Sequence, residues 1–310
     1  MHTIQDVSLI PLEYRMPPAR AYGMARGLTA RRALSIVRVT TDDGVVGSGE
    51  VFGPPAVARA YLDLVREAFL GRDIWSFEHV AGDIYDRSYH LGVQNQLTAC
   101  LGGIDVALHD AIGRTVGVSV SQLLGGRRLS RVPVYASTGF FSNDPDGQLE
   151  AQLARVAGGG FPGVKIKIGR SPASDVERAE IARKIMGEDI LLMLDVNGNY
   201  TVDVALESMR RTAGLGVHWY EEPLPPRDTA GYRRLRARAP VSLATGEAAY
   251  TVADFKRLVD AEGVDVVQPS IPTCGGLGQA RQVAALARQN NLRVSPHVWG
   301  GALGLAAAVH

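Results

Sequence analysis

Three pieces of one stretch decide the fold: L-L-M-L-D at 191–195, H-W-Y-E-E at 218–222 and V-S-L-A-T-G-E at 241–247. Each is a short apolar run that ends in a carboxylate. Asp195, Glu221 and Glu247 follow one another at an even spacing of 26 positions. A βα unit of a parallel barrel uses about that many residues when strand, helix and two short loops are combined. The spacing therefore predicts three successive barrel strands, each delivering one acid to the same rim. Three carboxylates at one point repel one another unless a cation lies between them, and hard oxygen donors suit Mg²⁺. A divalent metal site held by Asp195, Glu221 and Glu247 is the leading reading.

Outward from that stretch, the alternation of strands and helices continues in both directions. Strands are expected at Val134–Ser137, Val164–Ile168, Ile190–Val196, Val217–Glu221, Val241–Gly246, Val264–Gln268 and Arg293–Pro296, with helical runs between them. That is seven strands, one short of a standard barrel. The reading is a chain that stops before its last strand. Residues 131–310 are thus assigned to a β/α barrel. Residues 1–130 lack this rhythm: a hairpin (Ala33–Thr41, Val45–Val51) turns at Asp42, Asp43 and Gly44, and helical patterns follow at Ala56–Phe69, Ser76–Tyr89 and Gln94–Val116. This is an α+β lobe. Met16–Arg31, with its prolines, glycines and arginines, reads as a mobile loop.

Composition sets the bounds. A chain of 310 residues can bury a large core, and a net charge of +1 gives no electrostatic case for nucleic acid or an anionic membrane. Apolar stretches are strand-sized, below the ~20 residues of a membrane span. No secretory signal is read at the start, and two cysteines outside any metal or redox motif fit a reduced compartment. The expected setting is the cytoplasm.

In V-K-I-K-I-G, Lys165 and Lys167 lie two apart on a strand and share a face, while Val164, Ile166 and Ile168 take the other. Lysines at a strand end are often merely solvated. Beside an acidic cluster, mutual repulsion and a nearby Mg²⁺ would lower a lysine pKa and provide a base. Among seven histidines, only His297 stands at the C-terminal end of a barrel strand. His218 is placed before its strand. Asn197 is either a substrate contact or a plain turn residue, since Asn favours such turns. Glu222 is expected to point away from Glu221, towards a lysine.

Taken in order, K-I-K, D-V-N, E-E-P, G-E and H-V-W-G resemble the enolase superfamily, mandelate racemase subgroup. G-G-I-D-V-A-L-H-D and L-L-G-G resemble its capping domain. The similarity covers essentially the whole chain and is nearest to acid-sugar members such as galactarolactone cycloisomerases. It implies a TIM-type (β/α)₇β barrel under an N-terminal α+β capping domain. It also implies Mg²⁺ on Asp195, Glu221 and Glu247, Lys167 as a base, Lys165 near the substrate carboxylate and His297 as a second acid/base. The implied reaction is removal of the proton α to a carboxylate through an enediolate, on a sugar acid or its lactone, in a homo-oligomer. Tyr22, Met24, Arg26 and Phe52 are candidates to face substrate from the capping lobe.

One departure stands out. The family pattern Q-P-D reads Q-P-S here, so Ser270 replaces an aspartate that would pair with the histidine. A serine can orient the ring but adds no charge, which makes His297 a weaker base. Dehydration or cycloisomerisation is therefore favoured over racemisation or epimerisation. Two other classes stay open: a Schiff-base aldolase using a lysine, which leaves the carboxylates unexplained, and a non-catalytic relative that binds metal or ligand.

Overall fold

The computed structural model describes residues 2–92 and 94–310. Its first part is a three-stranded antiparallel sheet in the order β1 (Ile4–Arg15), β4 (Arg31–Thr41), β5 (Val46–Phe52). The β4–β5 turn contains Gly44 at φ +86°, a left-handed conformation that suits glycine. Helices α1 (Pro55–Val65), α2 (Phe77–Arg87), α3 (Gln96–Val116) and α4 (Val120–Leu123) follow. α3 covers the sheet so closely that a Cβ at Gly47 or Gly49 would run into its backbone carbonyls at Ala107 or Gly103. Val7, Val37, Val39, Val51, Leu97, Leu101, Ile104 and Leu108 fill this core.

β1 was not foreseen: Pro11 interrupts the pattern, and every residue from Ile10 to Arg15 is exposed, so alternation is legible only in its first half. Met16–Arg31 is corrected as well. It contains a hairpin, β2 (Tyr22–Met24) and β3 (Gly27–Thr29), and β2 pairs with a strand contributed by the barrel half.

The second part is a seven-stranded parallel sheet: β6 (Ala136–Thr138), β8 (Gly163–Lys167), β9 (Leu191–Asp195), β10 (Val217–Glu221), β11 (Ser242–Thr245), β12 (Val266–Val267) and β13 (Arg293–Val294). The hairpin's partner, β7 (Phe141–Ser142), lies in the loop after β6. Between and after the strands run α5 (Leu149–Val156), α6 (Pro172–Met186), α7 (Val202–Arg211), α8 (Thr229–Arg236), α9 (Val252–Asp260), α10 (Ile271–Cys274), α11 (Gly276–Gln289) and α12 (Ala302–Val309). This is the sheet of a TIM-type barrel under a capping lobe, with the seven strands the sequence spacing indicates. Several boundaries move by one or two residues: the first barrel strand begins at Ala136, and β12 and β13 shorten to Val266–Val267 and Arg293–Val294, while His218 lies within β10 and does not precede it.

The strand pleat explains where the chemistry falls. Val164, Ile166, Leu192, Leu194, Tyr220 and Leu243 point outward and pack against the helices. Met193, Trp219, Ala244 and Val266 form the inner cluster. Since side chains alternate, two residues further on each strand Asp195, Glu221 and Gln268 also face inward. Glu247 is three beyond Ala244, and the extra step occurs at Gly246, whose φ of +135° and contact with Phe255 admit no side chain. Among the described residues, no helix is long and apolar enough to cross a membrane.

The lobes are tied through backbone groups. Asp105 of α3 accepts hydrogen bonds from the amides of Leu277 (2.5 Å) and Gly278 (3.3 Å) at the start of α11. Glu50 of β5 accepts from Gly301 (2.8 Å) and Gly304 (3.0 Å) around the start of α12.

Candidate active site

At the C-terminal ends of β9, β10 and β11, one oxygen each from Asp195, Glu221 and Glu247 comes within 4.8 Å of the others. Asp195 and Glu221 are fully buried. Strand pairing aligns Lys167 with Asp195 and Asp195 with Glu221. Lys167 Nζ lies 2.5 Å from Asp195; Lys165 Nζ donates to Glu221 and sits 3.4 Å from Asp195. His297 closes the other side, its Nε2 3.1 Å from Glu247. The structure thus brings together all six metal and acid/base candidates.

The electrostatics follow from crowding in a dry site. Burial alone would raise Asp195, but Lys167, Lys165 and the Asn197 amide outweigh it and hold the carboxyl at about 2. Glu221 is pushed up to about 7 by burial, with Lys165 opposing and Asp195 and Glu247 adding to the rise. Burial disfavours the charge of Lys165, but the facing Glu221, Tyr135 and Asp195 hold its pKa well above the ordinary lysine value. Burial lowers His297, and the two lysines reinforce this against the pull of Glu247.

Ser270 also differs from expectation. Its hydroxyl accepts from Thr273 Oγ1 at 3.4 Å, and His297 Nδ1 has no hydrogen-bond partner among the described residues. The serine therefore does not orient the ring. The His297 backbone is fixed instead, its amide bonded to Pro269 O at 3.0 Å. Glu222 is buried with φ +38°, and its Oε1 is unpartnered among the described residues, so it finds no lysine. Burial and then Glu247 and Asp195 raise its pKa well above the usual carboxylate range.

Asn197 is buried at φ +51°; its amide donates to Asp195 Oδ1 (3.0 Å) and its Oδ1 is free among the described residues. Arg26 donates to Gly198 O and so latches the capping hairpin onto the loop after β9. Tyr22 packs edge-on against Phe140, with ring centroids 5.3 Å apart. Met24 and Phe52 line a groove of about 620 Å³ that shares Arg32, Trp299 and Gly300 with the cavity beside the cluster. That cavity, about 580 Å³, lies between the edge strands β6 and β13 and contains Lys165, Lys167 and His297.

Sequence reasoning missed several residues around the site. Gln268 donates to Glu221 at 2.6 Å, and its inward register could have been read two residues beyond Val266. Trp299 follows His297 by two, and the Arg32 guanidinium lies 4.7 Å from its ring centroid. No local signal in β4 marks Arg32, because the contact joins the two lobes.

The donor set fits a divalent cation: three hard carboxylates converge, and Glu247 Oε2 has the 3.1 Å ion-pair contact with His297 but no hydrogen bond among the described residues. In this structure the positive charge within the cluster comes from the lysines. Comparison with known proteins agrees with the architecture. Residues 148–310 match the enolase C-terminal domain-like family, and residues 10–125 match the N-terminal domain of mandelate racemase/muconate lactonizing enzyme. The chain belongs to the enolase superfamily. Within this superfamily it is 35% identical to D-galactarolactone cycloisomerase of Agrobacterium fabrum, over 90% of this chain and 74% of that protein. It is 32% identical to 3,6-anhydro-alpha-L-galactonate cycloisomerase of Streptomyces coelicolor, over 92% and 80% of the two chains. Among solved structures, 3,6-anhydro-D-galactonate cycloisomerase from Zobellia galactanivorans superposes with a TM-score of 0.89 at 31% identity, covering 99% of this chain and 83% of that one. A racemase from Streptomyces coelicolor A3(2) with bound magnesium gives 0.86 at 30% identity, covering 96% and 84%. This enolase-superfamily chain is an enzyme.

Proposed function

We propose that this enzyme removes the proton α to the carboxylate of an acid sugar or its lactone and then expels an oxygen from the neighbouring carbon, as a dehydratase or cycloisomerase. The observation that carries the reading is the opposed arrangement of the acid/base groups: Lys165 and Lys167 flank one side of the carboxylate cluster and His297 the other, around one cavity.

Asp195, Glu221 and Glu247 would hold Mg²⁺, which supplies charge stabilisation that an α-proton of low acidity needs. Lys165 binds and orients the substrate carboxylate. Lys167 takes the α-proton, and the C–H electron pair moves into the carboxylate to give an enediolate. His297 then gives its proton to the departing oxygen as the carbon–oxygen bond breaks. Collapse of the enediolate forms the double bond, and the oxygen leaves as water in a dehydration or as part of the freed carboxyl group of an opened lactone ring. A lowered histidine pKa weakens His297 as a base and strengthens its protonated form as an acid. That favours elimination over proton exchange from both faces.

Support also comes from the curated relatives, which carry the names of sugar-acid cycloisomerases and dehydratases. The test is a panel of acid sugars and their lactones in D₂O, with Mg²⁺ or with excess chelator, following turnover and α-deuterium uptake. Metal-dependent turnover with uptake is expected. Full activity in chelator, or equal exchange of both epimers at the α-carbon, overturns the proposal.

A further inference from the structure

Glu50 is a carboxylate of the capping lobe, 2% exposed, and it points into the barrel half instead of its own lobe's core. Its two oxygens accept the amides of Gly301 and Gly304, at 2.8 and 3.0 Å. A methyl group on Gly300 would collide with the same carboxylate, and one on Gly301 would approach it to 3.0 Å. The H-V-W-G-G segment thus has glycines where Glu50 sits. One strand away, Arg32 donates to Gly300 O at 3.1 Å and covers the Trp299 ring. A buried carboxyl group is costly unless its oxygens are hydrogen-bonded, and here two amides at a helix start satisfy them. A carboxylate accepts both at once in a fixed fork, which a hydroxyl cannot do.

The segment so clamped begins at His297. On the barrel side its backbone is held at His297 N, 3.0 Å from Pro269 O. On the capping side it is held at Gly300, Gly301 and Gly304. Only Val298 and Trp299 lie between the two anchors, while the His297 ring has a free Nδ1 and no partner there among the described residues to fix its orientation. Among the described residues the ring's polar contact is that of Nε2 with Glu247, at 3.1 Å, and its placement otherwise depends on the backbone beneath it. We propose that Glu50 is a positioning residue for His297, the capping lobe's means of aligning the second acid/base of the reaction. The inference rests on the functional reading given above.

The experiment uses the full chain with Mg²⁺ and the acid sugar or lactone turned over fastest in the panel, comparing wild type with Glu50→Ala, Glu50→Gln and His297→Asn. Misplacing a reacting group by about 1 Å costs up to ~100-fold in rate. Glu50→Ala is expected to lose on the order of tenfold to a hundredfold in kcat with KM changed less than about threefold. The Lys167 step remains, so the ratio of α-deuterium exchange to turnover rises, as it does in His297→Asn. Glu50→Gln, keeping one acceptor, falls between. In the metal-free protein, the His297 imidazole NMR signals shift and broaden in Glu50→Ala. Should that variant fail to fold, Gly300→Ala displaces the carboxylate from the other side and is read in the same way. Proportional loss of exchange and turnover, or no loss of either, overturns the role of Glu50 alone. A wild-type protein that exchanges no α-proton across the panel refutes the functional reading and the role of Glu50 with it.

Discussion

Glu221 offers the sharpest test of the carboxylate cluster. Its folded pKa is about 7 against an ordinary 4.5, chiefly through burial. The folded state therefore binds more protons than the unfolded one between those values, and stability must fall as pH rises. At about 1.4 kcal/mol per unit, the loss through this window is about 3 kcal/mol. The contribution is fully present below pH ~4.5 and gone above pH ~7. His297, whose pKa is lowered, has the opposite slope, so a difference measurement is needed. The assay is urea unfolding from pH 4.5 to 8 in excess chelator, comparing wild type with Glu221→Gln. Subtracting the two curves should leave a decline of about 3 kcal/mol, because Gln removes the titration and keeps the shape. With saturating Mg²⁺ the wild-type slope should reverse, since a cation on the cluster displaces protons and binds more tightly at high pH. Parallel curves for wild type and variant would refute the argument, as would a Mg²⁺ effect that does not depend on pH.

Three further outcomes are expected. Lys167→Gln leaves buried Asp195 without its 2.5 Å partner, which should cost roughly 3–5 kcal/mol in denaturant unfolding and abolish α-deuterium exchange; exchange at the wild-type rate would place the base elsewhere. Ser270→Asp puts an anion beside the free Nδ1 of His297 and should raise the histidine pKa, seen by NMR titration, and promote exchange from the opposite configuration. Asp105→Asn weakens acceptance of the Leu277 and Gly278 amides and should cost roughly 1–3 kcal/mol of stability while sparing KM, a split that steady-state kinetics and unfolding together can check.

The barrel was readable because its rule is local. A strand of four or five residues with one carboxylate at or just past its end repeats in the sequence, and the pleat converts a spacing of two into a shared face. Lys165 and Lys167 needed nothing more. The charge states needed the fold, since the ion pairs that raise Lys165 join strands dozens of residues apart. The same limit hid the hairpin at Tyr22–Thr29, whose main chain is satisfied by Phe141 and Ser142 from the other lobe. Ser270 was visible as a departure in Q-P-S, but its actual partner, Thr273, lies in the turn of α10 and answers to local helix geometry.

That hairpin has a consequence for how such an enzyme can change its diet. The hydrogen bonds that seat it on the barrel are main-chain bonds, indifferent to side-chain identity, and Arg26 adds a latch to the carbonyl of Gly198. Tyr22 and Met24 hang from a scaffold whose position does not depend on what they are. Gly23 between them is another matter, since a Cβ there would meet the Gly27 carbonyl and push the hairpin apart. Variation at 22 and 24 can therefore be swapped like bits in a fixed chuck, changing what packs on Phe140 and Trp299 and what lines the Met24 groove while the hairpin keeps its seat.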